Sequence, residues 1–197
     1  MVTVERQREV WHPSSIKGEQ VALRHHQYDD LGAVRRWYRD PELARLTRYS
    51  LRPMSDEDID RFFHTRLMSP EHVGYAITVR EGGQLIGSTT FSNLDADNSS
   101  TLFHISIGER AAWGSGYGTE ATELMLWLAF ARIGLHRVAL SVFDFNTRAI
   151  RAQGRLADAQ HQPHVLVGDG AQGLCSGNTP GREQAYDKGC GGDEFTH

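Results

Sequence analysis

The chain has 197 residues, of which 39% are hydrophobic and 23% charged, values of a globular protein with room for one ordinary core. A formal net charge of −4 excludes a global basic field that would recruit nucleic acid or an anionic membrane, but not a small anion held at a local site. Its two cysteines, Cys175 and Cys190, have no CxxC or His/Cys spacing, and His161, His164 and His197 are scattered, so neither a disulfide framework nor a metal site is expected.

Residues 1–17 carry no period and are expected to form a flexible arm. The first ten have no apolar run of the kind a signal peptide needs, and the longest apolar run, Leu124 to Ala131, is far too short for a bilayer core of about 30 Å. A soluble, cytoplasmic protein is the expectation. Residues 18–156 are read as one domain. Gln20 to Arg24 forms a short strand. Asp29 and Asp30 suit a helix N-cap, after which Leu31, Val34, Trp37 and Tyr38 recur at helical spacing until Asp40-Pro41 ends the element. Leu46 to Pro53 reads as a loop carrying Arg48, Tyr49 and Arg52. A second helix begins at Ser55, where Ser55 and Asp58 resemble a capping box and Ile59, Phe62, Phe63 and Leu67 supply the apolar face.

Tyr75 to Arg80 and Gln84 to Phe91, separated by Glu81-Gly82-Gly83, predict an antiparallel hairpin, and Thr101 to Ile107 a third strand of the same meander. Thr119 to Ile133 is apolar almost all round, ends at Gly134 and reads as a buried helix. His136 to Phe143 is then a strand. Strand, helix and strand in that order require a right-handed crossover into parallel pairing. A further helix runs from about Thr147 to Leu156. Residues 157–197 are rich in Gly, Gln, His and Asp, with one short apolar run at Val165-Leu166-Val167, and are expected to be poorly ordered.

Between the third strand and the apolar helix lies Gly108-Glu-Arg-Ala-Ala-Trp113-Gly-Ser-Gly-Tyr-Gly-Thr-Glu120. Alternate glycines at a helix start expose backbone N–H groups that have no intrahelical partner and sit at the positive end of the helix dipole, a cradle for phosphate. The alternative is a tight turn before a buried helix. A Walker loop needs a Lys that this stretch lacks, so a triphosphate is disfavoured. A dinucleotide fold needs an acidic residue about 20 positions on. Nothing acidic lies between Glu123 and Asp144.

Trp113-Gly-Ser-Gly-Tyr-Gly-Thr-Glu-Ala121 is similar to the Arg/Gln-x-x-Gly-x-Gly/Ala turn of the GNAT superfamily of N-acetyltransferases, and Asn146-Thr-Arg-Ala-Ile-Arg151 to its Asn-x-x-Ala segment. Over about residues 18–152 the chain resembles the branch that acetylates ribosomal-protein alanine, polyamines or amino acids. The resemblance implies an α/β (α+β) fold: a mixed sheet with an antiparallel meander, a buried central helix and a parallel crossover. It implies acetyl-CoA as cosubstrate and no metal, with Trp113, Gly114, Ser115, Gly116, Tyr117, Gly118 and Thr119 at the pyrophosphate, and Ile105, Ser106 and Ile107 pairing with pantetheine. Asn146 would face the pantetheine or the acetyl end. The acceptor, a small amine, an amino acid, a polyamine or a protein N-terminus, would enter over the 46–53 loop, where Arg48 and Tyr49 are candidate contacts. His104, on the strand flanking the thioester, is the candidate base. Neither nucleic acid nor a membrane is implied as a partner, and a homodimer is allowed.

The chain departs from that pattern in four places. Trp113 replaces the usual Arg or Gln, Leu102 stands where relatives often carry a Glu, and Gln153 replaces a Tyr acid, although an amide cannot donate a proton as an acid. The two last strands that should follow are not recognisable, as a shifted reading frame or a chimeric terminus would produce. Three readings follow: direct acetyl transfer to a primary amine in a ternary complex; a CoA-binding remnant with impaired chemistry; and a nucleotide-binding module.

Overall fold

The structure is a computed structural model that describes residues 12–47, 54–69, 72–159 and 164–169. Its strands are β1 (Ser15–Lys17), β2 (Val21–Arg24), β3 (Val73–Val79), β4 (Leu85–Asp95), β5 (Ser100–Ile107), β6 (Arg137–Val142) and β7 (His164–Asp169). Its helices are α1 (Leu31–Arg39), α2 (Pro41–Thr47), α3 (Asp56–Phe62), α4 (Tyr117–Trp127) and α5 (Thr147–Ala159). The strands form one sheet in the order β1-β2-β3-β4-β5-β6-β7. Pairing is antiparallel from β1 to β5 and parallel from β5 to β7, so the expected meander, central helix and crossover are all present.

The alternation along β3 sets the layers. Val73, Tyr75 and Ile77 point to one face, where they pack with Phe91, Phe103 and, from α4, Ala121, Met125 and Leu126. Gly74 points to the other face and lies beside the backbone of Arg66 and Leu67. On that side α1, α2 and α3 build a second cluster from Val34, Trp37, Leu43, Ile59, Phe63 and Leu67. Both predicted long helices finish in π-helical turns, Phe63–Leu67 after α3 and Leu128–Ile133 after α4, the second closed by Gly134 in the left-handed region. Helix α4 is not buried all round. Trp127 is 47% exposed, and Arg132 lies over its ring.

Three sequence readings need correction. The arm is shorter than 17 residues, because Ser15–Lys17 pairs with β2 and Ile16 enters the core; three residues are too few to show a period. Asp40-Pro41 ends α1 but also starts α2. Proline fits the first helical position, where no N–H is needed, and the Asp40 carboxylate accepts from Glu42 N at 2.8 Å. The 46–53 loop therefore begins two residues inside a helix, and Arg48, Tyr49 and Arg52 lie outside the described residues. In the tail, Val165-Leu166-Val167 is the middle of β7, paired with Val138, Ala139 and Leu140. One strand that looked missing is thus present, and a short apolar run with no polar alternation was its signal.

Trp37 holds the helical layer against the strand-to-cradle turn. A Cβ added at Gly108 would fall 2.1 Å from Trp37 Cδ2, and Trp37 is itself buried. Gly108→Ala should therefore cost about 1–3 kcal/mol by overpacking, read as a lowered melting temperature. Gly32→Ala, on α1 with nothing within 4 Å, should instead raise stability by about 0.5–1 kcal/mol. Equal melting temperatures for the two variants would contradict this packing.

Candidate functional site

The site begins where β5 and β6 part. Their ladder holds at Ser100↔Arg137, Thr101↔Val138 and Leu102↔Ala139 and goes no further, although β6 continues with β7 as far as Val142↔Asp169. Along Phe103–Ile107, β5 remains paired with β4 but has no ladder on the β6 side. Backbone donors and acceptors directed to that side stay available for a ligand. Two cavities open along this edge, one of about 660 Å³ and one of about 370 Å³, and both are lined by Ile105, Ser106, Asn146 and Leu46.

The smaller cavity ends at the start of α4. Gly116 is the N-cap with φ +86°, no side chain caps the helix, and Gly114 is also left-handed at +80°. The first intrahelical bonds come from Thr119 and Glu120 to Gly116 O, so the N–H groups of Tyr117 and Gly118 precede them. Trp113, Gly114, Gly116, Gly118 and Thr119 line the cavity. Ser115 and Tyr117 do not, and Tyr117 packs against the sheet core. Trp113 donates its indole N–H to Ile107 O at 2.7 Å and supports the Arg148 guanidinium 4.0 Å above its ring. Arg148 and Arg151 both line the cavity, so its lining is cationic.

The one acid in the first turn that could oppose a phosphate is turned elsewhere. Glu120 accepts from the backbone N–H groups of Glu19 and Gln20, at 3.0 Å from Gln20, closing the β1–β2 turn. The turn leading into the cradle is fastened by Arg110, which donates to Asp40 from both Nε and Nη2 and to Glu42 at 2.7 Å. Arg110 and the backbone N–H groups of Glu42 and Leu43 hold the Asp40 carboxyl at about 2. The same carboxylate therefore caps α2 and anchors the cradle turn.

The larger cavity rises over β4 and β5. The cross-strand pairs Ser88↔Ser106, Thr90↔His104 and Ser92↔Leu102 put six side chains on one face, and all six line the cleft. His104 Nε2 lies 2.8 Å from Ser92 Oγ. The His104 side chain is exposed to the cleft. Its partial withdrawal from water there, helped by the positive charge of Arg66, lowers its pKa from the usual imidazole value and favours the neutral ring. Beyond Ser92, the β4–β5 register shifts and Asn93 takes a left-handed φ of +52°, the local kink of a bulge at the cleft wall. Trp37, Tyr38, Phe62, Leu67 and Arg66 form the facing wall.

Asn146 stands at the junction of the two cavities. Its Oδ1 accepts from Ala149 N at 3.2 Å, capping α5, and its Nδ2 donates to Leu46 O at 3.2 Å, tying α5 to α2. Ile105, Ser106, Ile107, His104, Asn146 and most of the cradle are thus brought together, whereas Arg48 and Tyr49 lie outside the described residues. Sequence reasoning missed Ser92, Arg66, Arg148 and Arg151 as site residues. Arg148 and Arg151 were findable, being three apart at the start of a helix and so on one face. Ser92 was not, because its position depends on the β4–β5 register. Among the described residues there is no group of three or more His, Cys, Asp or Glu side chains placed to hold a metal. No helix among them is long and apolar enough to cross a membrane.

The sheet that splays beside a glycine-rich helix start has counterparts among known proteins. The sequence model of the acetyltransferase (GNAT) domain matches residues 20–157, and the chain belongs to that acetyltransferase family. It is 24% identical over 143 residues to the uncharacterized N-acetyltransferase p20 of Bacillus licheniformis, covering 71% of this chain and 79% of that protein. In structure it is similar to a GNAT-family acetyltransferase from Bacillus anthracis, with a TM-score of 0.63 at 18% identity over 72% of this chain and 81% of the other. It is also similar to the spermidine N-acetyltransferase of Vibrio cholerae solved with CoA and spermine, at 0.59 and 17% over 69% and 79%.

Proposed function

We propose that the protein transfers an acetyl group from acetyl-CoA to a primary amine by direct attack in a ternary complex. The observation that carries this reading is the open edge of β5, which runs from an uncapped, arginine-flanked helix start into a cleft containing a histidine disposed to be neutral. The residues present fit the cosubstrate. A Cβ built at Gly114 or Gly116 meets nothing within 4 Å, so the backbone there is open to a bulky anion.

Acetyl-CoA supplies an activated acyl thioester. The amides from Gly114 to Gly118, with Arg148 and Arg151, hold its diphosphate. The free edge at Ile105–Ile107 pairs with the amides of its pantetheine arm, and a backbone N–H on that edge polarises the thioester carbonyl. Asn146 keeps α5 and α2 fixed on either side of the arm. In the larger cleft the acceptor nitrogen attacks the carbonyl carbon, and the N–C bond forms as the C–S bond breaks. His104, steadied by Ser92, takes the proton from nitrogen, and solvent protonates the departing thiolate.

Acetyl-CoA should raise the melting temperature of the wild type, and Gly116→Asp should abolish that protection by placing bulk and negative charge at the diphosphate. Protection that ATP or NAD reproduces better than CoA, or that survives Gly116→Asp, would overturn the cradle assignment. Protection without thiol release from any amine would indicate a CoA-binding domain without turnover. His104→Ala should lower kcat by about 100-fold. Because the base must be neutral and its pKa is lowered, the His104 imidazole of the free protein should titrate below about pH 6.5, the ordinary imidazole value, as read by NMR with His104→Ala to assign the signal. Titration at or above that value, or unchanged turnover in His104→Ala, would remove His104 from the chemistry.

A further inference from the structure

The walls of the larger cleft state what kind of amine fits them. Among its described lining residues there is no aspartate or glutamate, and one permanent charge, Arg66. Three cations of the neighbouring helices are paired with carboxylates: Arg35 with Asp60, Arg39 with Asp56 and Arg61 with Asp58. Arg66 pairs with no carboxylate among the described residues; the contact it makes is to His72 Nε2, at 3.5 Å. A polycation entering this cleft would lose hydration and meet a like charge.

Arg66 also lies in line with the proposed base. Gly74, Thr90 and His104 are opposite one another across β3, β4 and β5, and the Arg66 carbonyl lies 3.8 Å from a Cβ built at Gly74. Adjacent strands are about 4.8 Å apart. The row thus runs roughly 10 Å from beneath Arg66 to His104, within the span of one small molecule and a long arginine side chain. The π-helical turn Phe63–Leu67 contributes to this placement: Phe63 and Leu67 are buried, while Arg66 is exposed at the rim. Tyr38, Phe62, Met54 and Leu102 give the cleft apolar surface beside the hydroxyls of Ser88, Thr90 and Ser92.

From this arrangement we infer that the acceptor is an amine that carries a carboxylate on an apolar body, an apolar amino acid rather than a polyamine, with Arg66 holding the carboxylate while His104 serves the amine. The inference rests on the acetyltransferase reading above and deepens it. Arg66 is a specificity residue and takes no part in the bond changes. Its planar fork matches a carboxylate in two parallel hydrogen bonds, a geometry a carboxamide cannot match with charge.

The test compares leucine and phenylalanine with leucinamide, phenylalaninamide and spermidine, in the wild type and in Arg66→Gln, by thiol release from acetyl-CoA. Isothermal titration of the same acceptors into the CoA-bound protein gives the comparison independently of turnover. The acids should exceed their amides by about tenfold or more in kcat/KM or affinity, and spermidine should rank below both. In Arg66→Gln, whose melting temperature and CoA protection should match the wild type because Arg66 is exposed and outside the cradle, the preference for the acids should shrink to within about threefold. Amides equal to acids in the wild type, spermidine as the best acceptor, no detectable binding of the acids, or an undiminished preference in Arg66→Gln would each overturn the inference. Those outcomes leave CoA protection intact, whereas loss of CoA protection itself would overturn the acetyltransferase reading.

Discussion

Everything at this site depends on a sheet that stops pairing at one point. Hydrogen-bonding groups of a strand inside a sheet are normally spent on both neighbours, and leaving them unmet in a buried place is costly. Here β5 and β6 separate after Leu102 and Ala139, and the groups that lose their partner face a cavity instead of protein. The separation is held from both ends. Asn146 ties the start of α5 to the end of α2 across the opening, and the Trp113 indole takes the carbonyl at the end of β5. The exposed edge is therefore a built feature of the fold.

Charge is arranged along the same line. The start of α4 offers N–H groups and a positive dipole end, to which α5 adds Arg148 and Arg151. The acid nearest that point, Glu120, is occupied with the backbone of the β1–β2 turn, so a feature of the far sheet edge keeps the phosphate region free of repulsion. Asp40 does a second double duty, capping α2 and anchoring Arg110 ahead of the cradle. Across the splay the character changes to hydroxyls, one imidazole and aromatic walls, a surface suited to chemistry on a small acceptor.

How much of this was legible in the sequence follows from how local each signal is. The hairpin around Gly82-Gly83 and the glycine-led start of α4 are written in consecutive residues, and both are where the sequence places them. The parallel crossover followed from strand-helix-strand order, because handedness leaves few alternatives. Helix α2 was hidden because Asp40-Pro41 carries a stop and a start at once. Strand β7 was hidden because an apolar triplet in a glycine-rich tail has no period to read. The relation between His104 and Ser92, and the place of Arg66 above the same row, depend on β-register and on a π-helical turn, neither of which has a sequence period. The glycine-rich start of α4 is local and was readable; the cleft over β4 and β5 is made of long-range pairings and was not.

The most direct test of the account is a crystal structure of the protein with acetyl-CoA bound. The account predicts the diphosphate on the amides from Gly114 to Gly118 with Arg148 and Arg151 beside it, the pantetheine arm paired along Ile105–Ile107, and the thioester opening toward His104. A cofactor bound elsewhere, or a diphosphate in the cradle with its thioester pointing away from the cleft over β4 and β5, would contradict it.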